Sequence, residues 1–110
     1  MRKTLTILTA LVIICAGFTL PLIAGDAAAG KDLYMKKCKV CHAEDGAGTP
    51  AMQKKHGEKL LPLGGAKVQA MKDAEIAKEF KAAANHKALL KTTTDADIDN
   101  VIAHIRTLKK

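Results

Sequence analysis

An all-α domain of short helices is what this sequence predicts, and three observations lead there. Ile98, Val101, Ile102, Ile105 and Leu108 draw one apolar stripe at helical spacing, and Ile76, Phe80 and Ala83 draw a second. Nothing along the chain reads as a strand. The 110 residues are 48% hydrophobic but only 3% aromatic, with two Phe, one Tyr and no Trp. Short helices with so little bulky material bury too little against one another, and domains of this size need a metal, a disulfide or a cofactor as reinforcement. An apolar content this high also argues against disorder.

The N-terminal segment is set apart by its order. Arg2 and Lys3 precede a nearly continuous apolar run from Leu5 to Leu20, Pro21 ends it, and small residues follow from Ala24 to Gly30. Charge, apolar helix, breaker and small residues in that order predict an export signal over residues 1–29. Ala27-Ala28-Ala29 offers an A-x-A processing site, and Gly25-Asp26-Ala27 a second. The alternative is an uncleaved anchor, because the run is nearly long enough to span a bilayer. Cys15 follows Ile14 rather than the small residue that lipoprotein processing prefers. The working domain is then residues 30–110, exported to the periplasm, and membrane-bound only if the leader stays. Losing Arg2, Lys3 and Asp26 lowers the net charge of +7 by one. Only Cys38 and Cys41 then remain, three positions apart and unable to staple distant parts of the chain.

Within that domain a first helix is expected from Gly30 to Cys38. Residues 43–66 hold Gly46, Gly48, Gly57, Gly64 and Gly65 and two prolines, which predicts a loop. A middle helix fits Asp73 to Ala84, with Asp73 as N-cap and Asn85 near its end. The last helix opens on Thr94 and Asp97, spaced as a capping box, and closes on Lys109 and Lys110, which suit the negative end of the helix dipole.

The missing reinforcement is written at Cys38-Lys39-Val40-Cys41-His42. C-x-x-C-H is the signature of covalent haem attachment, in which two thiols form thioethers with the vinyl groups and the adjacent imidazole binds iron. Positions i and i+3 of a helical turn share one side, so both sulfurs meet the same porphyrin edge. A zinc finger needs further ligands at suitable spacing, and neither a second Cys pair nor H-x(3–5)-H follows. A thioredoxin-like pair would need a βαβ context. A simple Cys38–Cys41 disulfide would leave the small core unexplained. One covalently bound haem c is the expected cofactor, filling the interior with an apolar plate.

Gly30-Lys-Asp-Leu-Tyr34, the Cys38–His42 motif and Glu44-Asp45-Gly46-Ala47-Gly48-Thr49 together resemble a class I cytochrome c. The similarity continues through Pro62-Leu63-Gly64-Gly65, Val68 to Ile76, and Thr94 to Leu108. It implies a class I cytochrome c fold of three to five short helices around one haem. It also implies a crossing of first and last helices at Gly30 and Tyr34, where His104 occupies the last helix's usual aromatic position. The proximal imidazole would donate its second N–H to the carbonyl of Pro62, with Pro50 as runner-up, and Leu63 would line the group. The family's distal methionine, usually in Met-Pro-Ala-aromatic, falls in register on His86 of His86-Lys87-Ala88-Leu89, with Leu89 at the aromatic position.

That register favours His42/His86 ligation, since neutral imidazole binds iron well and Lys87 would be protonated near pH 7. Met71 is the alternative ligand; Met35 reads as core, and Met52 and His56 belong to the long loop. A vacant sixth site under Leu89 or Leu90 would instead suit a gas sensor or a weak peroxidase. With two imidazoles the iron is saturated, and the expected function is that of a low-potential one-electron carrier rather than an enzyme. Lys36, Lys37, Lys39, Lys54, Lys55, Lys59, Lys87 and Lys91 would steer it to redox partners with an acidic docking face. Nucleic acid fits poorly, with one Arg outside the leader and few aromatics to stack on bases.

Overall fold

A computed structural model describes residues 25–110, and among these it is all-helical, with no strand. The expected export signal lies outside the described residues up to position 24. No helix among those described is long and apolar enough to cross a membrane.

Helix α1 spans Ala27–Lys37. It begins three residues before the expected start, because alanine is the best helix former and the Asp26 carboxylate accepts from the Ala28 and Ala29 amides at 2.9 and 3.3 Å. Asp26 also donates its own amide to Asn100 Oδ1 at 2.8 Å. A boundary after Ala29 would therefore remove the N-cap and first turn of α1. The helix ends at Lys37, with Cys38 as C-cap, and a separate turn, α2, spans Lys39–His42. The attachment motif thus sits just past the first helix rather than on its last turn.

The segment 43–66 is less irregular than its glycines suggest. Helix α3 spans Pro50–His56, opened by proline in the first turn, and a 3₁₀ turn follows at Gly57–Lys59. Gly46, Gly48 and Gly57 adopt positive φ on either side of α3, so glycine bends the chain into and out of the helix without preventing it. Helix α4 is one turn, Ala66–Gln69.

Helix α5 spans Asp73–Ala82, ending two residues before its expected limit. Its N-cap is Lys72, whose amide donates to the Glu75 carboxylate at 2.9 Å, while Asp73 is drawn instead to Arg106. Ala83 turns to extended backbone, a 3₁₀ turn follows at Ala84–His86, and α6 spans Lys87–Leu90. Helix α7, Asp95–Thr107, has the capping box its sequence predicts: Asp97 N–H donates to Thr94 Oγ1 at 3.1 Å, and Thr94 N–H to Asp97 Oδ2 at 3.0 Å. The described residues thus form seven helices, of which only α1, α5 and α7 reach ten residues.

The core lies where α1 and α5 meet α7. Tyr34, Val68, Ile76, Ile98, Val101, Ile102 and Ile105 form one buried cluster, and Leu63, Met71 and Phe80 pack against its edge. Each buried aliphatic side chain contributes roughly 1.5–3 kcal/mol. The α1/α7 approach is very close: a Cβ on Gly30 would lie 1.8 Å from the Asn100 carbonyl oxygen. Arg106 ties α7 to the α4–α5 corner. Its guanidinium donates to the carbonyls of Gln69 and Met71 and pairs with Asp73 at 2.7 Å. Gln69 Nε2 completes that corner by donating to the carbonyls of Leu63 and Ile105.

Candidate functional site

Two imidazoles from separate segments are brought close together. His42, at the end of α2, and His86, in the turn after α5, have ring centres 6.2 Å apart and planes inclined at 49°. The termination of α5 at Ala82 makes this possible: a helix continued to Ala84 would carry His86 elsewhere on its cylinder. The Ala83 amide still donates to Glu79, and the carbonyl of Phe80 accepts from His86 Nδ1 at 2.8 Å. A carbonyl can only accept, so Nδ1 carries the proton and the lone pair lies on Nε2. The Phe80 ring stacks on the same imidazole, centres 4.4 Å apart and planes inclined at 30°.

His42 is held differently. Its Nδ1 is buried and has no hydrogen-bond partner. Burial, and then the charge of neighbouring His86, hold its pKa below the ordinary histidine value, favouring the neutral, ligand-competent imidazole. The expected acceptor, the Pro62 carbonyl, takes the Gly65 amide at 3.1 Å instead, closing the turn that presents Gly65 to α4. Pro62 itself is exposed, and Leu63 packs at the core's edge.

Ala43, directly after His42, adopts φ 61° and ψ 169°, a region that is costly for a side-chain-bearing residue. Tyr34 clamps it there: the fully buried phenol donates to the Ala43 carbonyl at 2.5 Å. Burial, with lesser contributions from Cys38 and Asp45, pushes the Tyr34 pKa to about 12, so the phenol stays protonated and a donor. Tyr34 therefore reaches both the helix crossing and the backbone beside His42. His104 meets it at the crossing, ring centres 4.9 Å apart, and is buried as the family's aromatic would be.

Cys38 and Cys41 are free thiols on one helical turn, with the Cys41 amide donating to the Cys38 carbonyl at 3.2 Å. Cys38 is half-buried and lines a narrow apolar cleft, open to solvent, with Leu33, Ile76, Phe80, Leu89 and Ile102. Cys41 is exposed. Burial above all pushes the Cys38 thiol up to about 11, with Lys37 pulling it down and Cys41 pushing it further up. That protonation state disfavours a bare thiolate–metal site. Among the described residues no three His, Cys, Asp or Glu side chains converge to hold a metal ion alone.

The remaining expected residues divide clearly. Leu89 lines the cleft, while Met71 and Met35 pack against the core cluster. Met52 and His56 are half-buried on α3. Lys36, Lys39, Lys54, Lys55, Lys59, Lys87 and Lys91 are exposed, and Lys37 reaches across to donate to Thr92 Oγ1 at 3.0 Å. Sequence reasoning placed Phe80 in a helical stripe and missed its pairing with His86. The available signal was an aromatic six positions before a histidine, across a helix end that neither glycine nor proline marks.

Metal–imidazole nitrogen bonds of about 2 Å on both sides, plus the half-width of each ring, place ring centres on the order of 6 Å apart. The observed separation is that of two imidazoles sharing one metal ion, and the lining of the cleft beside Cys38 is apolar, as the face of a porphyrin requires. No curated protein and no solved structure matches the chain at a significant level. The family model for cytochrome c matches residues 27–109, nearly all of the described chain. The chain is a class I c-type cytochrome, belonging to the cytochrome c family, whose domain implies one covalently bound haem c.

Proposed function

We propose that the protein is an exported one-electron carrier with bis-histidine ligation, Cys38 and Cys41 holding haem c by thioethers, His42 binding the proximal face and His86 the distal face. The 6.2 Å separation of the two rings carries this reading. The group supplies a one-electron Fe(III)/Fe(II) couple when bound. The residues do the rest. His42 and His86 would fill both axial positions and keep small molecules off the metal. Leu33, Ile76, Leu89 and Ile102 would exclude water from one side of the ring. Imidazole in place of a soft thioether gives up preferential stabilisation of ferrous iron, so the potential lies below that of Met-ligated relatives.

Export to the periplasm rests on the order of the leader. The cap made by Asp26 and its bond to Asn100 favour processing ahead of Asp26, which would leave α1 whole. The exposed lysines near the attachment motif and the distal turn favour an acidic partner face, met in weak, fast and salt-sensitive docking. The test is the absorption and EPR spectrum of the purified holoprotein. A six-coordinate low-spin ferric species, with no sulfur-to-iron charge-transfer band and no CO uptake on reduction, is expected. His86→Ala should convert it to a form that binds CO. A parent that takes up CO rapidly would overturn the carrier reading in favour of a gas sensor or a weak peroxidase.

A further inference from the structure

We infer that Phe80 is a positioning residue for the distal ligand: its carbonyl fixes the tautomer of His86 and its ring fixes the imidazole plane. The inference rests on the His42/His86 ligation proposed above.

Two contacts from one residue converge on one imidazole. The last turn of a helix leaves carbonyls without intrahelical donors. In α5 the Phe80 carbonyl is such a group, and His86 Nδ1–H takes it at 2.8 Å. The same bond serves as a helix cap and as a tautomer lock, leaving Nε2 as the ligating nitrogen. A hydrogen bond to the remote nitrogen also raises the basicity of a ligating histidine. The Phe80 ring, 4.4 Å away and inclined at 30°, blocks rotation of the imidazole about its Cβ–Cγ bond. Without the ring, that terminal torsion is broad. His42 has neither device, since its Nδ1 is unpartnered. The relative orientation of the two planes, 49°, is therefore set mainly from the distal side.

Phe80 also packs on the core cluster, so lost stability alone would not separate the two roles. The angle between axial imidazole planes governs the splitting of the ferric iron orbitals, which EPR reads directly. The experiment compares ferric EPR spectra of the parent holoprotein with Phe80→Leu, Phe80→Tyr and Val68→Ala, Val68 being buried in the core cluster but outside the lining of the cleft. The expected result is a shifted and broadened largest g value in Phe80→Leu with low spin retained, the parent value in Phe80→Tyr, and no shift in Val68→Ala despite its lower melting temperature. A Phe80→Leu spectrum superimposable on the parent would overturn the positioning role and leave bis-histidine ligation standing. A shift of equal size in Val68→Ala would overturn it too, by reducing Phe80 to general packing. If His86→Ala leaves the parent spectrum unchanged, the ligation itself fails and this inference fails with it.

Discussion

The crossing of α1 and α7 and the distal segment from Ala83 to Thr93 are built on opposite principles. At the crossing, five consecutive residues, Val101 to Ile105, are buried, and the backbones approach so closely that only glycine fits at position 30. In the distal segment no residue is buried. It is held by a few polar contacts, His86 to the Phe80 carbonyl and Lys37 to Thr92, by the Phe80 ring against His86, and by Leu90 at the edge of the core. The crossing fixes the proximal side, because Tyr34 runs from its centre to the backbone beside His42. The distal side relies on local hydrogen bonds and on whatever the two imidazoles jointly hold. The frame is thus close-packed on one side and lightly tethered on the other.

Substitutions that attack the crossing should cost most. Gly30→Ala forces α1 from the Asn100 carbonyl and, net of its gain in helix propensity, should destabilise the holoprotein by about 3 kcal/mol in denaturant unfolding. An effect below about 1 kcal/mol would mean that the crossing yields easily and the contrast is overstated. Arg106→Met removes the donors that join α7 to the α4–α5 corner and leaves the carbonyls of Gln69 and Met71 without them. A loss of about 2 kcal/mol is expected in the same measurement.

His104 sharpens the comparison through pH. Burial, and then the charge of Lys31, lower its pKa in the folded state below the reference 6.5. Between the folded value and 6.5 the unfolded chain binds more protons, so stability rises with pH across that window. The contribution is complete above about 6.5 and is lost as pH falls through the folded value. His104→Phe keeps an aromatic against Tyr34 and removes the unpartnered Nε2. Melting temperatures from pH 7.5 to 4.5 should show a flatter acid limb and a gain of about 1 kcal/mol. The smallest effect is expected in the distal segment: Thr92→Val breaks the exposed bond to Lys37 and should change stability by less than about 0.5 kcal/mol. Local hydrogen exchange in residues 84–93 should nevertheless speed up. Unchanged exchange there would show that the tether is idle.

The helices legible in the sequence were those with both a stripe and a cap. Helix α7 announces itself through Thr94, Asp97 and the isoleucines, because capping and amphipathic spacing are local properties. Helix α3 was not legible, since the glycines around it reported the turns at its ends and hid the seven residues between. The early start of α1 was obscured because Asp26 and the three alanines also satisfy the grammar of a processing site. Position alone makes Asp73 an N-cap, but a guanidinium 33 residues away outcompetes the local amides.

Local pattern is enough for the all-helical class, the attachment motif and the two candidate histidine ligands, because spacing along a helix and ligand chemistry are written in short stretches of chain. Folding alone brings His86 to 6.2 Å from His42, stacks Phe80 on it, packs His104 at the crossing, and turns the Pro62 carbonyl to Gly65. Each of these depends on where one segment ends against another, and a chain reveals that only when its distant parts compete for the same hydrogen bonds and the same space.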